Sequence, residues 1–438
     1  MGKQADPLAL RLLKALPAWQ AAPTLYVAFS GGLDSTVLLH LLKSLSLAPI
    51  KAVHIHHGLQ AAADAWPAQC QAVCTALGVP LQVIHVQVQP GASLERAARE
   101  ARYAAFEALL APGDVLLTAQ HRDDQAETLL FRLLRGAGLR GLAAMPARRD
   151  LGLGQLLRPL LDVPRSELLA YAREQGLHWI EDPSNSDTHY ARNFLRHEVM
   201  PTLTSRWPQA TASMARAAAH LHDAQVLLDE LAELDLGCAE SQSPWPWLTL
   251  PSLMLQPLVE LSDRRQRNAL RRWLRALTVM PDSEHWAGWD CLRDAGRAGR
   301  PVWLLAGGEL HRADGRIWWL SGAWLQPAGT PQNWTDQRSP LVLPGNGQVY
   351  ISGAPPEGSL QVRYRQGGEV MQLPTRGHRD LKRLLNERGV PLFVRDRLPL
   401  LYCGERLLAV ANLPGLDGSE PGDWVFHWQP PTSDQGLS

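Results

Sequence analysis

Cysteine is scarce in this 438-residue sequence, and the few cysteines are not arranged for chemistry. There are five, none of them in a C-x-x-C pair: Cys70, Cys74, Cys238, Cys291 and Cys403. A disulfide framework, a zinc site and persulfide chemistry all use paired or clustered cysteines, so the pattern argues against each of them. We therefore expect the five to be buried, reduced thiols.

Long apolar segments are also missing. Within the first 20 residues, charged side chains at Lys3, Asp6, Arg11 and Lys14 interrupt the apolar positions. This leaves neither the apolar region of a signal peptide nor the ~18 uninterrupted apolar residues of a membrane span. We expect a soluble, cytoplasmic protein with no membrane partner.

An excess of charge of either sign is absent as well, because 43 Lys and Arg balance 43 Asp and Glu. Any nucleic-acid site must therefore come from local clusters of cations. Six arginines lie between Arg264 and Arg275 without an intervening acid, and the stretch from Arg363 to Arg397 holds nine Lys or Arg against four Asp or Glu. Taken alone, each cluster is equally compatible with a solvated surface paired with acids elsewhere.

The chain is long enough for two or three domains, since a typical domain takes ~100–200 residues. From residue 24 to about 120, the short runs TLYVAFS, KAVHIHH, LQVIHVQV and DVLLTAQ alternate with helical periodicities. This alternation predicts an α/β domain with a doubly wound parallel sheet, to which we assign residues 1–210. Residues 211–335 read as a mainly helical domain. After Ala306 the composition shifts to Trp, Gly and Pro, and residues 340–438 read as a small α+β domain.

The first strand runs directly into Ser30-Gly31-Gly32-Leu33-Asp34-Ser35, and a helix follows at once. The glycines let the backbone turn tightly, Asp34 or Ser35 can cap the helix, and the free N–H groups with the positive helix end point at an anion. The loop is neither a Walker A motif nor a G-x-G-x-x-G fingerprint. It resembles the pyrophosphate loop of ATP pyrophosphatases, which implies cleavage between the α- and β-phosphates and transfer of AMP.

A second cluster follows the strand DVLLTAQ, in the sequence HRDDQAET that opens a helix. Helical spacing places His121, Asp124 and Thr128 on one stripe with Asp123 and Glu127 beside it, so we expect the acidic half to face the cleft. Three carboxylates there suit Mg²⁺ or an ammonium ion. An acidic first turn favoured only by the helix dipole is equally compatible with this pattern.

Longer segments are similar to one enzyme family. HRDDQAETLLFRLLRGAGLRGLAAM, the string WIEDPSN continuing to Arg192, Asn193 and Arg196, and the C-terminal stretch GHRDLKRLLNERG all resemble bacterial tRNA(Ile)-lysidine synthetases. The similarity covers nearly the whole chain and is weakest over roughly residues 220 to 340. Asp380 departs from the pattern, because we expect a basic or small polar residue there, and one phosphate contact is therefore in doubt.

The resemblance implies an ATP- and Mg²⁺-dependent ligase that joins free lysine to C2 of the wobble cytidine of tRNA(Ile), through an adenylated tRNA. It implies catalytic roles for Asp34, Asp124 and Glu127, and Asp34 also as the metal-binding residue. The residues expected to bind ATP are Ser30, Gly31, Gly32, Leu33, Asp34, Ser35 and His57. The residues expected to bind lysine are Arg102, Asp124 and Glu127. We expect tRNA to be bound by residues of all three domains. The candidates are Arg192 and Arg196 at the end of the first domain, Arg271 in the second, and Arg379, Lys382 and Arg383 in the third.

Two other functions stay open at this point. A tRNA thiolase of the same superfamily would use thiolate or iron–sulfur ligands, for which Cys70 and Cys74 offer only a C-x-x-x-C spacing. A non-catalytic tRNA- or nucleotide-binding protein would keep the loop without the acidic helix. The sequence leaves the oligomeric state open, a homodimer included, and does not tell which carboxylate acts as the base.

Overall fold

The computed structural model describes residues 7–15, 22–45, 49–58, 61–88, 94–281, 284–296, 299–373, 377–419 and 423–432. The chain divides into two compact units, Met1–Val226 and Leu227–Ser438. In the described ranges, no helix is both long and apolar enough to cross a membrane.

The first unit is built on a six-stranded sheet of order β3-β2-β1-β4-β6-β5, parallel except for the edge strand β5. Its strands are β1 Leu25–Ala28, β2 Ile50–His56, β3 Leu81–His85, β4 Val115–Leu117, β5 Arg148–Leu151 and β6 Gly154–Leu157. Its helices are α1 Pro7–Ala15, α2 Leu33–Ser44, α3 Trp66–Leu77, α4 Leu94–Leu109, α5 Arg122–Leu134, α6 Leu139–Leu142, α7 Arg165–Glu174, α8 Ala191–Phe194 and α9 Met200–Arg206. Helix α10, Ala210–Ala239, follows.

Residues of the first strand alternate between two cores, one on each face of the sheet. Leu25 and Val27 pack in one apolar cluster with helix α2, whereas Tyr26 packs in the other with Phe106 of α4. A strand buried on both faces is typical of a parallel sheet covered by helices. The predicted doubly wound sheet is therefore confirmed, including the four strands expected before residue 120.

Single turns complete this unit. Residues Ala61–Ala65 and Pro183–Ser186 form 3-10 turns, and Leu195–Val199 forms a π-helical turn between α8 and α9. A π turn inserts one residue relative to an α turn, and such turns concentrate at functional sites.

The first sheet of the second unit is four-stranded and antiparallel, of order β7-β10-β9-β8, and shares an apolar core with the neighbouring helices. Its elements up to residue 325 are β7 Ser252–Met254, α11 Leu255–Val259, α12 Asp263–Leu274, α13 Ala287–Asp294, β8 Val302–Leu305, β9 Gly308–Ala313, β10 Arg316–Ser321 and a 3-10 turn at Gly322–Leu325. The mainly helical segment expected over residues 211–335 thus also contains a sheet. The hairpin β9–β10 turns at Asp314 and Gly315, which both have positive φ, and Asp-Gly is the hairpin signal that the prediction overlooked.

The rest of the second unit is α+β, as expected. It contains β11 Gln332–Trp334, β12 Leu341–Val342, β13 Gln348–Gly353, β14 Leu360–Arg363, β15 Val370–Leu373, β16 Gly377–Asp380, α14 Leu381–Glu387, α15 Leu392–Arg395, β17 Leu400–Cys403, β18 Arg406–Val410 and β19 Trp424–Gln429. Small antiparallel sheets of order β11-β14-β17-β18 and β12-β13-β19 enclose one apolar core rich in leucine and tryptophan.

All five cysteines are free thiols. Cys70 and Cys74 are buried, and burial raises the pKa of Cys70 to about 12, so this thiol stays protonated. The expectation of burial is wrong for Cys238 and Cys291, which are exposed on helices α10 and α13. Cys403 is partly exposed.

Candidate active site

The loop between β1 and α2 folds around its two glycines. Gly31 has φ +81°, a left-handed conformation that favours glycine, and Gly32 is the N-cap of α2. No side chain caps this helix, so the expected capping by Asp34 or Ser35 does not occur. The Ser35 hydroxyl instead donates to the Gly32 carbonyl at 3.0 Å. The first backbone N–H groups of an α-helix have no partner within the helix, so the start of α2 is suited to hold an anion.

The WIEDPSN segment packs directly onto this loop. The Ile180 N–H donates to the Gly31 carbonyl at 2.9 Å, and a Cβ on Gly31 would stand 2.5 Å from Ile180 Cδ1 and 2.9 Å from Cys70 Sγ. Asp182 caps the following 3-10 turn by accepting from the Ser184 N–H at 2.8 Å. The segment therefore holds the loop in shape, a role that its sequence alone did not indicate.

A cavity of about 440 Å³ opens where β1, β2 and β4 end. Ser30, Asp34 and Ser35 of the loop line it on one side, Arg102 of α4 on another, and Asp124 of α5 lies at its edge. Ligands of open α/β sheets bind beyond the carboxyl ends of the strands, and the cavity volume suits a nucleotide.

His57, just after β2, is a neutral side chain in the cavity wall. Burial and the positive charge of Arg102 lower the pKa of His57 to about 4, and Arg102 Nε donates to its Nε2 at 3.4 Å. Because Nε2 accepts, Nδ1 carries the hydrogen, and Nδ1 is a buried atom without a hydrogen-bond partner among the described residues. It is a donor suited to a ligand atom. His54, by contrast, bonds to the Phe29 carbonyl at 2.9 Å, a structural contact expected of a strand residue.

His121 connects the phosphate loop to the acidic helix. It is buried, its Nε2 lies 3.6 Å from Asp34 Oδ2 and 3.4 Å from Asp124 Oδ2, and it forms the N-cap of α5 in a reciprocal capping box with Asp124. Burial alone would lower the pKa of His121, but the surrounding carboxylates, Asp34 first, raise it. Helical spacing predicted the stripe that carries His121, but His121 was not among the predicted site residues.

Asp124 and Glu127 do not face open solvent, because two arginines cover them. Arg192 and Arg196 each donate to Asp124 Oδ1 at 2.9 Å. Arg196 Nε donates to Glu127 Oε1 at 2.7 Å, and Arg192 Nε donates to Glu127 Oε2 at 3.1 Å. Two carboxylates and two guanidiniums thus form a compact network of zero net charge, which joins residues that the sequence had assigned separately to lysine and to tRNA.

The network also decides what Asp124 can do. Burial would raise the pKa of Asp124, but the imidazole of His121 and the two guanidiniums hold it below its usual range. A carboxyl with a lowered pKa is a weak base at neutral pH, so Asp124 suits binding of a cation better than removal of a proton.

Asp123 and Gln125 of the HRDDQAET segment make structural contacts. Asp123 accepts from the Arg165 N–H at the start of α7 at 3.0 Å, and Gln125 exchanges two hydrogen bonds with the Met145 backbone, at 2.7 and 2.9 Å. Thus Asp124 lines the cavity as expected, whereas Asp123 fixes the start of α7.

The arginine cluster of α12 is largely neutralised by acids. Its paired members are Arg265 with Asp235, Arg267 with Asp290, Arg272 with Glu233 and Arg275 with Asp229. Arg271 instead lies over the ring of Trp286, at 5.2 Å from the ring centroid. For these four arginines, the interpretation as a surface paired with acids elsewhere is correct.

The C-terminal cluster is divided between the core and the surface. Arg395 and Arg397 are buried and donate to backbone carbonyls, whereas Arg379, Lys382 and Arg383 are exposed on β16 and α14. Asp380, the residue that departs from the family pattern, caps α14 by accepting from the Arg383 N–H at 3.0 Å. Its side chain therefore has a structural function in place of a phosphate contact.

One carboxylate oxygen of the site, Asp34 Oδ1, fits a metal ion whose other ligands are the phosphates of a nucleotide. Asp34 Oδ1 is buried and has no hydrogen-bond partner in the described part of the chain. No cluster of three or more His, Cys, Asp or Glu side chains suited to a metal occurs there either. Mg²⁺ is bound by one or two carboxylates together with substrate phosphates, so this donor set fits a nucleotide-bound ion.

A parallel sheet whose first strand leads into S-G-G-x-D-S at a nucleotide-sized cavity defines an ATP pyrophosphatase of the PP-loop class. Residues 6–203 match the family described as PP-loop domain, residues 253–318 the TilS substrate binding domain, and residues 360–428 the TilS substrate C-terminal domain. The chain is 64% identical over 441 residues to tRNA(Ile)-lysidine synthase of Pseudomonas fluorescens, with 100% of both chains covered.

Other relatives carry the same name. The chain is 61% identical over 441 residues to the Pseudomonas aeruginosa protein, covering 99% of this chain and 100% of the relative. It is 38% identical over 446 residues to the Coxiella burnetii protein, covering 96% of each. This chain belongs to the tRNA(Ile)-lysidine synthase family of enzymes.

Proposed function

We propose that this chain uses ATP to join lysine to C2 of the wobble cytidine of tRNA(Ile). One observation carries the proposal most directly: His121 bridges Asp34 of the phosphate loop and Asp124 of the acidic helix, at 3.6 and 3.4 Å. Activation of a base by ATP and attack by an amine need two adjacent sites, and this contact makes them neighbours.

In the first step, the cytidine O2 attacks the α-phosphorus of ATP and diphosphate leaves. The backbone N–H groups at the start of α2, with Ser30 and Ser35, hold the polyphosphate where negative charge develops. The His57 Nδ1–H donates to the nucleotide. Asp34 Oδ1 would hold Mg²⁺, which neutralises phosphate charge when bound.

In the second step, the ammonium group of lysine releases a proton to solvent, the resulting ε-amine attacks C2, the C2–O2 bond breaks, and AMP leaves with the oxygen. Free lysine is almost fully protonated at neutral pH, because its pKa is ~10.4. Asp124 and Glu127 bind the ammonium group, and Arg102 pairs with the α-carboxylate. The guanidiniums of Arg192 and Arg196 beside that position favour the neutral amine, since a nearby like charge lowers an amine pKa.

The tRNA body binds through exposed cations of the second unit. Arg271, Arg379, Lys382 and Arg383 remain the candidates. Neighbours of Arg271 on α12 are paired with acids, and Arg383 likewise pairs with Glu387 at 3.1 Å, so Arg271, Arg379 and Lys382 carry most of this proposal. Contacts of Lys and Arg with phosphates release counterions and supply most of the sequence-independent affinity.

Mass spectrometry of digested tRNA tests the function. We expect a lysine adduct on cytidine after incubation of tRNA(Ile) with the protein, ATP, Mg²⁺ and lysine, and adenylated tRNA when lysine is omitted. Sulfur incorporation would favour the thiolase alternative. Binding of ATP and tRNA without release of diphosphate would favour a non-catalytic protein.

A further inference from the structure

Exposed aromatic rings are concentrated in one short segment next to the active site. Among the aromatic side chains that the structure describes, those largely exposed are Tyr190 at 43%, Phe194 at 48% and Trp207 at 59%. The other described aromatic residues are buried or partly buried, tryptophans included. Contiguous exposed apolar surface, unlike a single exposed side chain, marks an interaction site.

Tyr190 and Phe194 bound one short helical turn, Tyr190 as the N-cap of α8 and Phe194 as its last residue. The Phe194 N–H donates to the Tyr190 carbonyl at 2.9 Å, which places the two exposed residues one helical turn apart. Arg192, two residues from each, is turned to the opposite side and reaches Asp124 Oδ1 at 2.9 Å. The turn therefore contacts the catalytic carboxylates with one face and offers two rings to solvent with the other.

Arg206 supplies positive charge beside the exposed rings, since its guanidinium lies over the Trp207 ring at 6.0 Å. Arg192 and Arg196 are neutralised by Asp124 and Glu127, although part of their side-chain surface stays exposed. Acidic side chains of the same segment are Asp187, which bonds to His189, and Glu198. Proteins bind unpaired nucleotides through aromatic rings that stack on the bases, with arginine contributing cation–π contacts.

We propose that Tyr190 and Phe194 stack on unpaired anticodon-loop bases beside the target cytidine. The inference rests on the proposed function, because that reaction requires one loop base to leave its stack and enter the cavity. The neighbouring bases then lose a stacking partner, and protein rings replace it. The two rings thus position the loop so that cytidine O2 reaches the phosphate site, without touching the reacting atoms themselves.

The experiment uses the full-length protein and a tRNA(Ile) transcript with 2-aminopurine next to the wobble cytidine, whose fluorescence is quenched by stacking. The variants are Tyr190→Ala, Phe194→Ala, the double variant, Tyr190→Phe and Tyr190→Leu. Leu153→Ala is the matched control, since Leu153 is an exposed apolar residue in the β5–β6 turn. That turn lies at the start of β6, which runs parallel to β4, and so at the opposite end of the sheet from the cavity.

We expect each alanine to raise the KM for tRNA by roughly 10-fold and to reduce the fluorescence change on binding, with the KM for ATP and the Leu153→Ala control unaltered. Tyr190→Phe should retain both properties, whereas Tyr190→Leu, which keeps apolar area without a ring, should lose them. Rescue by phenylalanine and not by leucine separates stacking from simple packing.

Three results would overturn the inference: an unchanged KM and fluorescence change in the double variant, equal function of the leucine and phenylalanine variants, or loss of a dimer in sedimentation with tRNA parameters unaltered. Failure of the proposed function is a different outcome. In that case the unsubstituted protein itself forms no lysine adduct on cytidine, whatever its fluorescence change.

Discussion

Gly31→Ala should distort the phosphate loop enough to stop adenylation. The left-handed backbone at Gly31, φ +81°, costs a residue with a Cβ about 1–2 kcal/mol. The new methyl would stand 2.5 Å from Ile180 Cδ1 and 2.9 Å from Cys70 Sγ, and such overpacking adds ~1–3 kcal/mol. We therefore expect a local destabilisation of roughly 2–5 kcal/mol, concentrated in β1 and α2.

Hydrogen exchange of the backbone amides of β1 and α2, followed by mass spectrometry, measures this local loss in the intact chain. Diphosphate release in the presence of tRNA measures adenylation. The matched control is Gly176→Ala, because Gly176 has φ +64° but no atom within 4 Å of an added Cβ. It should show only the backbone cost of ~1–2 kcal/mol and keep full activity.

A double-mutant cycle isolates the steric part. Ile180→Ala removes the nearer obstruction, so combining it with Gly31→Ala should cost at least ~1 kcal/mol less than the sum of the single changes. The reasoning fails if the two changes are additive, or if Gly31→Ala is no more disruptive than Gly176→Ala and adenylates tRNA normally.

The remaining predictions concern the proposed roles. Asp34→Ala should abolish diphosphate release and leave tRNA binding in gel shifts intact; adenylation at the normal rate would remove Asp34 from the ATP site. Glu127→Gln should weaken lysine use more than adenylation, so that adenylated tRNA accumulates, and lost adenylation with normal lysine transfer would contradict this. The three exposed C-terminal cations are Arg379, Lys382 and Arg383. Changing all three together to Ala should weaken tRNA binding and flatten its salt dependence without altering ATP affinity. An unchanged slope would leave them as solvated surface.

Much of the first unit was predictable because its signals are local. The loop from Ser30 to Ser35, the strands before residue 120 and the stripe carrying His121 and Asp124 all follow from short-range spacing, and the structure has them in the expected places. A strand ending in glycines before a helix fixes where a phosphate can bind, whatever the rest of the chain does.

The contents of the site depended on distant residues and could not be read from spacing. Arg192 and Arg196 reach Asp124 across 68 and 72 positions of sequence, and helical periodicity contains no information about such partners. For the same reason, the sequence could not show that arginines of α12 are paired with acidic residues of α10, as Arg265 is with Asp235 and Arg272 with Glu233.

The π turn at Leu195–Val199 limits how this part of the chain can change in length. It contains one residue more than the α turn it replaces, and Pro201 follows at the start of α9 without an N–H to donate. A single-residue deletion within this turn would close it to an α turn and leave the later side chains in their present direction relative to Arg192. The same deletion in α9 itself would rotate the side chains that follow it, Arg206 and Trp207 among them, by about 100°.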